Sequence, residues 1–347
     1  MAQITALQHW GPFKIDALGI ITLLGAEQVS VAFGRLVNNR YSNALPTVGA
    51  YVFPANTYTT PVPGFHVYNV DDKMSTVDVP GWFSRWLLSR NVKTNATKFE
   101  FKYKPPGSRS ALALAVGGSI STALGVLAHA PTIILAVLIR DWWGLANAIC
   151  MALSTLSRFA LVQQNKRALE TNANESEGWS DGTVPKRSFW LLPTGNAVRI
   201  TAPKGLLVNC LLTNPKTRGP LQLLVRTLGW AAFGGFAVTL GMSTLFIQIL
   251  TVVIVLACTC FAVWGVGDDT KSVGTRIEVV QEEHAEDSDR RAEAYFRLDL
   301  SPEDEDFMIH QSLMPMKAAR NWWEPYDYCK AKGSFEEWTR VLNNYAR

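Results

Sequence analysis

Two long apolar blocks dominate this chain of 347 residues, one over residues 111–162 and one over residues 221–266. The second block contains forty consecutive residues, Thr227 to Val266, without a formal charge. A helix needs about 20 predominantly apolar residues to cross the hydrocarbon core of a bilayer. Forty residues are enough for two crossings, so the chain is predicted to be a multi-pass, α-helical membrane protein.

Each apolar block is predicted to divide into two helices. The turn in the first block falls either at residues 129–131 or at residues 140–144. The first choice would place Arg140 and Asp141 inside the bilayer, where each charge costs about 2.5–3.5 kcal/mol. The second choice avoids that cost and places Trp142 and Trp143 at the interface, where tryptophan is favoured. We therefore predict the turn at residues 140–144, and the turn of the second block at residues 241–243.

These divisions predict four transmembrane helices arranged as two hairpins, with a small cytosolic α+β portion. Five regions follow: an N-terminal soluble or interfacial region (1–109), a first transmembrane hairpin (110–165), a cytosolic segment with a β meander (166–219), a second transmembrane hairpin (220–266) and an acidic, aromatic-containing helical cytosolic tail (267–347).

Charge predicts the orientation of the helices. Residues 1–266 carry 22 basic and 11 acidic side chains, and residues 267–347 carry 11 basic and 18 acidic. Basic residues flank the outer ends of both blocks, whereas the predicted turns carry only Arg140 and Asp141. The positive-inside rule therefore places both termini and the middle segment in the cytosol. Basic residues beside apolar blocks favour contact with anionic lipid headgroups over nucleic-acid binding.

Several shorter segments are predicted to build the soluble regions. Residues 15–34 contain an apolar stretch too short to span, so we expect a surface or packed helix rather than a fifth span. Residues 81–90 group their aromatic side chains on one side of a helix, as a local core contact or as an interfacial anchor. Residues 98–104 alternate as a strand. Apolar runs around the turn at residues 193–196, with a third run at Leu206–Leu212, predict the β meander.

The acidic tail is predicted to be helical. We expect a charged helix over Glu278–Arg297 and a second helix capped by Ser301, running from Pro302 to about Met314. The aromatic residues that follow need a surface to cover them. They either dock onto the protein's own cytosolic portion or bind a cytosolic partner protein, and the candidate partner contacts are Trp322, Trp323 and Tyr326.

Small residues recur at every fourth position in the apolar blocks. The candidate packing positions are Ala113, Gly117, Ser121, Gly125, Ala231, Gly235 and Thr239. Such stripes allow helix backbones to approach closely in lipid. They predict tight helix packing, within a compact four-helix core or between copies in a homo-oligomer.

His129 and Arg226 are the candidates for a pore or a polar membrane site. His129 combines a position well inside a span with a side chain that titrates near neutral pH. The alternative is a packed, hydrogen-bonded histidine. Arg158 and Arg226 are also explained as interfacial side chains that snorkel to the headgroups. No acidic residue lies deep in a predicted span, which argues against proton- or cation-coupled transport.

The sequence contains no nucleophile elbow, phosphate-binding loop, dinucleotide fingerprint or zinc-protease motif. Its five cysteines lack CxxC spacing, and its five histidines are scattered. We therefore expect neither enzymatic activity nor a cofactor or metal.

Four stretches together, RDWWGLANA (140–148), FWLLP (189–193), RLDLSPEDED (297–306) and NWWE (321–324), resemble uncharacterised polytopic membrane proteins of filamentous fungi. The resemblance covers most of residues 110–330 and rests on pattern, without a catalytic motif. It implies a class of protein and no particular activity. We expect a structural or interaction (scaffold) role, with the bilayer as partner. The alternative is a small channel or transporter with a pore between hairpins or protomers.

Overall fold

The computed structural model describes residues 25–90, 92, 97–105, 110–217, 219–282, 290–298 and 300–345. The first ten residues of the segment predicted over 15–34 lie outside this range. Its remainder forms a helix that packs on two other helices and buries Val29 and Phe33. Over the described residues, the prediction of a packed helix is confirmed.

The helices in chain order are α1 Ala26–Gly34, α2 Gly81–Ser89, α3 Ser110–Ile139, α4 Trp142–Glu177, α5 Lys204–Leu206, α6 Pro220–Met242, α7 Leu245–Val263, α8 Arg291–Phe296, α9 Pro302–His310, α10 Arg320–Lys332 and α11 Phe335–Tyr345. The strands are β1 Val37–Asn39, β2 His66–Asn69, β3 Met74–Thr76, β4 Lys98–Tyr103, β5 Pro185–Leu191, β6 Ala197–Pro203, β7 Asp268–Val273 and β8 Ile277–Glu282.

Four helices, α3, α4, α6 and α7, are long and apolar enough to cross a membrane. Arg140 and Asp141 separate α3 from α4, and Ser243 and Thr244 separate α6 from α7. The Asp141 carboxylate accepts one hydrogen bond from the Gly144 backbone N–H and one from the Thr244 backbone N–H, both at 2.8 Å. One side chain therefore caps α4 and ties the two turns together at one end of the bundle.

The opposite ends of the four helices all connect to a single sheet or to elements packed on it. β4 precedes α3, β5 follows α4, β6 and α5 precede α6, and β7 follows α7. The sheet has eight strands in the order β1-β7-β8-β4-β6-β5-β2-β3, and its neighbours are antiparallel except for the parallel pair β4 and β6. The portion outside the long helices contains both strands and helices, as predicted, but it is not small, because strands from before, between and after the long helices join one eight-stranded sheet.

The predicted meander is confirmed in part. β5 and β6 pair around the turn at residues 193–196, and β6 pairs with β4. The third apolar run is not a strand. It forms α5 and a following π-helical turn, Leu207–Leu211, which bury Leu206, Leu207 and Leu211 against the core. In a helix these three leucines lie close enough together to pack on the core at once, so tertiary packing favours a helix over a strand here.

An aromatic core fills the space between α2 and the sheet. The ring of Phe83 lies 4.9 Å from that of Trp190, and the ring of Trp86 lies 5.0 Å from that of Phe99. Trp82, Phe83 and Trp86 are all buried. The local core contact is therefore the correct interpretation of residues 81–90.

The tail helices α8 to α11 form a second core with the sheet residues Tyr68 and Phe189. Trp323 is 4% exposed and Tyr326 is fully buried in this core, and the Trp322 ring stacks on Tyr326 at 4.9 Å. Burial of Trp323 and Tyr326 favours docking onto the protein's own sheet over a partner contact at these two residues, whereas Trp322 is half-buried and its partner contact stays a prediction. The tail aromatics cover the protein's own sheet, because that sheet presents an apolar face beside them.

Two predictions for tail helices have different outcomes. Residues 278–297 are not one helix, since β8 occupies the beginning and α8 the end, while residues 283–289 lie outside the described range. β8 pairs with β4 and β7, and this pairing overrides the helical charge pattern. Ser301 caps α9 as predicted, through a capping box with Asp304, and the helix ends at His310.

Candidate functional site

Large apolar side chains are exposed over much of the bundle surface. Those more than half exposed include Val126, Leu127, Ile134, Val137, Leu138, Leu156, Leu223, Leu224, Val238 and Val253. Soluble monomers rarely expose contiguous apolar patches larger than a few hundred Å². A surface of this composition on four helices is suited to contact with lipid chains.

Exposed tryptophans lie at both ends of this apolar surface. Trp142 is 72% exposed beside the turns, and Trp264 is 80% exposed just after the far end of α7. The 19 residues of α7 rise about 28 Å, close to the thickness of a bilayer hydrocarbon core. Tryptophan is enriched at both membrane interfaces, so the two positions match the two edges of a bilayer.

His129 is a buried side chain on α3 with one partner. Its Nδ1 donates to the carbonyl of Gly125 at 2.7 Å, and its Nε2 has no hydrogen-bond partner among the described residues. It lines a groove of about 380 Å³ whose described lining contains no second ionisable side chain. This geometry favours the packed, hydrogen-bonded histidine over a proton or solute site.

Arg158 is buried inside the bundle and does not snorkel. Its guanidinium donates to Thr47 Oγ1 at 2.7 Å, to the Asn43 carbonyl at 2.9 Å and to the Leu45 carbonyl. It also lies 4.4 Å above the ring of Phe33. The interpretation as an interfacial side chain is therefore wrong for Arg158. A cavity of about 20 Å³ beside it has room for about one water molecule.

The small residues of α3 make room for an irregular segment, residues 41–48, rather than for another helix. Ser121 Oγ accepts from the Ala44 backbone N–H at 3.0 Å and donates to the Tyr41 carbonyl at 3.2 Å. A Cβ atom at Gly125 would lie 2.7 Å from the carbonyl oxygen of Ala44. The predictions for Ala113 and Gly117 lie outside the described side chains.

The small residues of α6 pack on α4. A Cβ atom at Gly235 would lie 2.8 Å from Cys150 Sγ, and Thr239 is buried with its hydroxyl donating to the Gly235 carbonyl. Ala231 is exposed, so it does not pack within this chain, and its packing between copies stays a prediction. Gly229 lies on the packed face instead, where an added Cβ atom would meet Ser157 Oγ at 2.5 Å.

Replacing Gly125 with alanine is expected to destabilise the protein by about 1–3 kcal/mol, because the new methyl group would lie too close to the Ala44 carbonyl oxygen and the backbone would have to shift. Gly118→Ala on the same helix is the matched control. A Cβ atom there meets nothing within 4 Å, so the better helix propensity of alanine should leave stability equal or higher. Thermal unfolding in detergent micelles compares them, and equal midpoints for the two variants would contradict the assigned packing.

Arg226 lines a polar cavity where the bundle meets the sheet portion. The cavity has a volume of about 640 Å³, and residues from several separate segments line it, among them Asn56, Asn165, Lys216 and Gln222. His129 is not among the described lining residues, so the structure does not bring the two predicted site residues together. The sequence signal for the other lining residues was weak. Only the cluster of basic residues before the second apolar block pointed to this region.

The described part of the chain has no cluster of metal-binding side chains. Among the described residues, no group of three histidine, cysteine, aspartate or glutamate side chains could hold a metal ion. Burial raises the pKa of Cys210 to about 12, which keeps that thiol protonated.

The site features are therefore the lipid-type surface, the packed His129 and the polar cavity at Arg226. The resemblance to fungal polytopic membrane proteins stays a prediction. Comparison of the chain with protein-family models, with curated proteins and with solved structures finds no match.

Proposed function

We propose that the chain is a four-span integral membrane protein with a structural or interaction role, in which two transmembrane hairpins hold the sheet portion against the cytosolic face. The observation that carries this proposal is the difference between the two ends of the helix bundle. Its two turns meet at Asp141 at one end, and all four opposite helix ends lead into the sheet or the elements packed on it. The positive-inside rule assigns the basic sheet end to the cytosol.

Coupling between bundle and sheet supports a scaffold role. Segment 41–48 leaves β1 and enters the bundle, where Arg158 and Ser121 bind its backbone. The Val48 backbone N–H also donates to Thr259 Oγ1 on α7 at 3.0 Å. These contacts tie the segment that follows β1 to α3, α4 and α7.

The channel alternative has less support. An ion path needs continuous polar or wetted space. The described cavity between α4, α6 and α7 holds about one water molecule. The groove at His129 is lined mostly by apolar residues, with Thr122 and Thr155 as the other polar ones described. Among the described residues, these features favour a pore between protomers over one between the hairpins.

Cysteine labelling in sealed microsomal vesicles tests the orientation. A membrane-impermeant maleimide is expected to label Lys317→Cys in intact vesicles, above the level of the parent chain. Arg140→Cys is expected to react only after detergent permeabilisation. Labelling of Arg140→Cys in intact vesicles would overturn the arrangement.

Solute flux separates the scaffold from the channel. Liposomes that hold the purified protein are expected to release K⁺ and Cl⁻ no faster than empty liposomes, and His129→Ala is expected to change nothing. A flux that depends on His129 would replace the scaffold proposal with the channel.

A further inference from the structure

The polar cavity at Arg226 has an unbalanced charge. Two cationic side chains, Lys216 and Arg226, are among its lining residues, and no aspartate or glutamate is among the described ones. The other polar lining residues are asparagines, threonines and a glutamine, all of them neutral. A cavity of about 640 Å³ with this lining is large enough for a small organic anion.

Arg226 is pre-oriented for an anion. Its Nε donates to the carbonyl of Pro54 at 2.8 Å, which fixes the plane of the guanidinium. The structure records no hydrogen bond from its two terminal nitrogens to a described residue, and the side chain is half-buried. A fixed guanidinium fork with open terminal N–H groups matches the geometry of phosphate and carboxylate oxygens.

Lys216 supplies a second, mobile cation. It is exposed, and it makes no recorded hydrogen bond or ion pair with a described residue. The neighbouring amide of Gln222 is already used, since its Nε2 donates to Thr217 Oγ1 at 2.8 Å. The two cations are therefore the donors left available to a ligand among these groups.

A third cation lies close to the cavity. Arg85 lies behind Gly34, another lining residue, and donates to Ser30 Oγ and to the carbonyls of Thr57, Thr60 and Gly81. All these partners are neutral. Burial lowers the pKa of Arg85 to about 10, so the side chain remains charged at neutral pH. Arg85 lines a neighbouring cavity that also contains Glu27, so Lys216 and Arg226 remain the cations of the Arg226 cavity itself.

The cavity opens at the depth of the lipid headgroups, a placement that rests on the proposed membrane arrangement. Arg226 and Gln222 lie in the first two turns of α6, and the same turns expose Leu221, Leu223 and Leu224 on the outer side. An acidic lipid could place its phosphate in the cavity and its chains along these leucines. A soluble phosphate compound would reach the same groups from the cytosol.

We propose that this cavity binds a phosphate group, with Arg226 as the oriented ligand and Lys216 as the second cation. The phosphate is carried by an acidic lipid or by a soluble compound. Direct charge-assisted hydrogen bonds to the phosphate oxygens hold the ligand.

Thermal unfolding of the full chain in detergent micelles measures binding, because a ligand of the folded state raises the midpoint. Three additions separate the sources: dioleoylphosphatidic acid, dioleoylphosphatidylcholine at equal content, and sodium phosphate against sodium chloride at equal ionic strength. We expect phosphatidic acid to raise the unfolding midpoint saturably. The affinity obtained from this rise should be at least tenfold weaker in Arg226→Gln and in Lys216→Gln. Arg226→Lys should retain part of the affinity.

Arg140→Gln is the matched control, since it removes one exposed charge at the opposite end of the bundle and should bind like the parent chain. A rise with phosphatidic acid alone assigns a lipid headgroup, and a rise with sodium phosphate assigns a soluble source. The site is overturned if neither phosphatidic acid nor sodium phosphate raises the unfolding midpoint. It is also overturned if both cavity variants bind as tightly as the parent chain, or if Arg140→Gln loses as much affinity as they do. Lys216 has no recorded partner among the described residues, so its variant should fold. Binding in micelles does not depend on how the helices cross a membrane. A negative binding result therefore contradicts the phosphate site alone, whereas a negative labelling result contradicts the proposed membrane arrangement.

Discussion

Arg158→Leu is expected to lower the free energy of unfolding by about 3–5 kcal/mol, because three acceptors in segment 41–48, two of them in buried contacts, lose a charged donor at once. Leucine cannot donate to Asn43, Leu45 or Thr47, and the cation above the Phe33 ring is lost as well. Unfolding in mixed detergent micelles measures the change. Hydrogen exchange should rise first in residues 41–48, since that segment is what the guanidinium holds.

Arg167→Leu is the matched control for this variant. It makes the same substitution on α4 at an exposed position, and it should leave stability within about 0.5 kcal/mol of the parent. Arg158→Lys should lie between the two, because a single ammonium keeps the charge but cannot reproduce the three-way geometry. If Arg158→Leu were as stable as Arg167→Leu, with unchanged exchange in segment 41–48, the guanidinium would not organise that segment.

Asp141→Ala is expected to cost about 2–4 kcal/mol, because the carboxylate both caps α4 and accepts from the start of α7. Asp141→Asn should cost about half as much stability as Asp141→Ala. Its amide oxygen still caps α4, whereas its –NH₂ group cannot accept from the Thr244 backbone N–H. The same unfolding titration in micelles measures both variants.

A double-mutant cycle isolates the tie between the turns. Thr244→Pro removes the backbone donor together with a side-chain hydroxyl that has no hydrogen-bond partner among the described residues. Proline fits there because Thr244 has φ −61° at the start of α7. We expect the Asp141→Asn and Thr244→Pro costs to be non-additive by about 1 kcal/mol or more, since both remove one hydrogen bond. Additive costs would mean that the two turns are not coupled through Asp141. Arg140→Gln controls for a nearby change of charge.

The parts of the fold that the sequence predicted depend on local composition. The length of an apolar run and the cost of a buried charge placed the turn beside Asp141. The capping box at Ser301 and the turn between β5 and β6 are likewise properties of a few adjacent residues. Such signals are complete within one or two turns of chain, so they can be interpreted without knowledge of the rest of the molecule.

The candidate site was predictable only in part. Arg226 was identified because few ionisable residues lie within the predicted spans. Lys216 and the cavity that it shares with Arg226 were not identified, because the walls of the cavity come from segments more than one hundred residues apart. His129 was identified for its position, and its packed state depends on which side chains line its groove.

The sequence by itself determined four membrane-length helices, their turns and the basic character of one end, since hydrophobic length and charge act locally. Only the tertiary structure decided what covers the tail aromatics, which partner Arg158 binds and whether residues 206–212 form a strand or a helix. An aromatic stripe has the same pattern whether it faces its own sheet or another protein. Arg158 and Leu45 are 113 positions apart. Contacts over such separations depend on the packing of the whole chain, and no local window of sequence contains them.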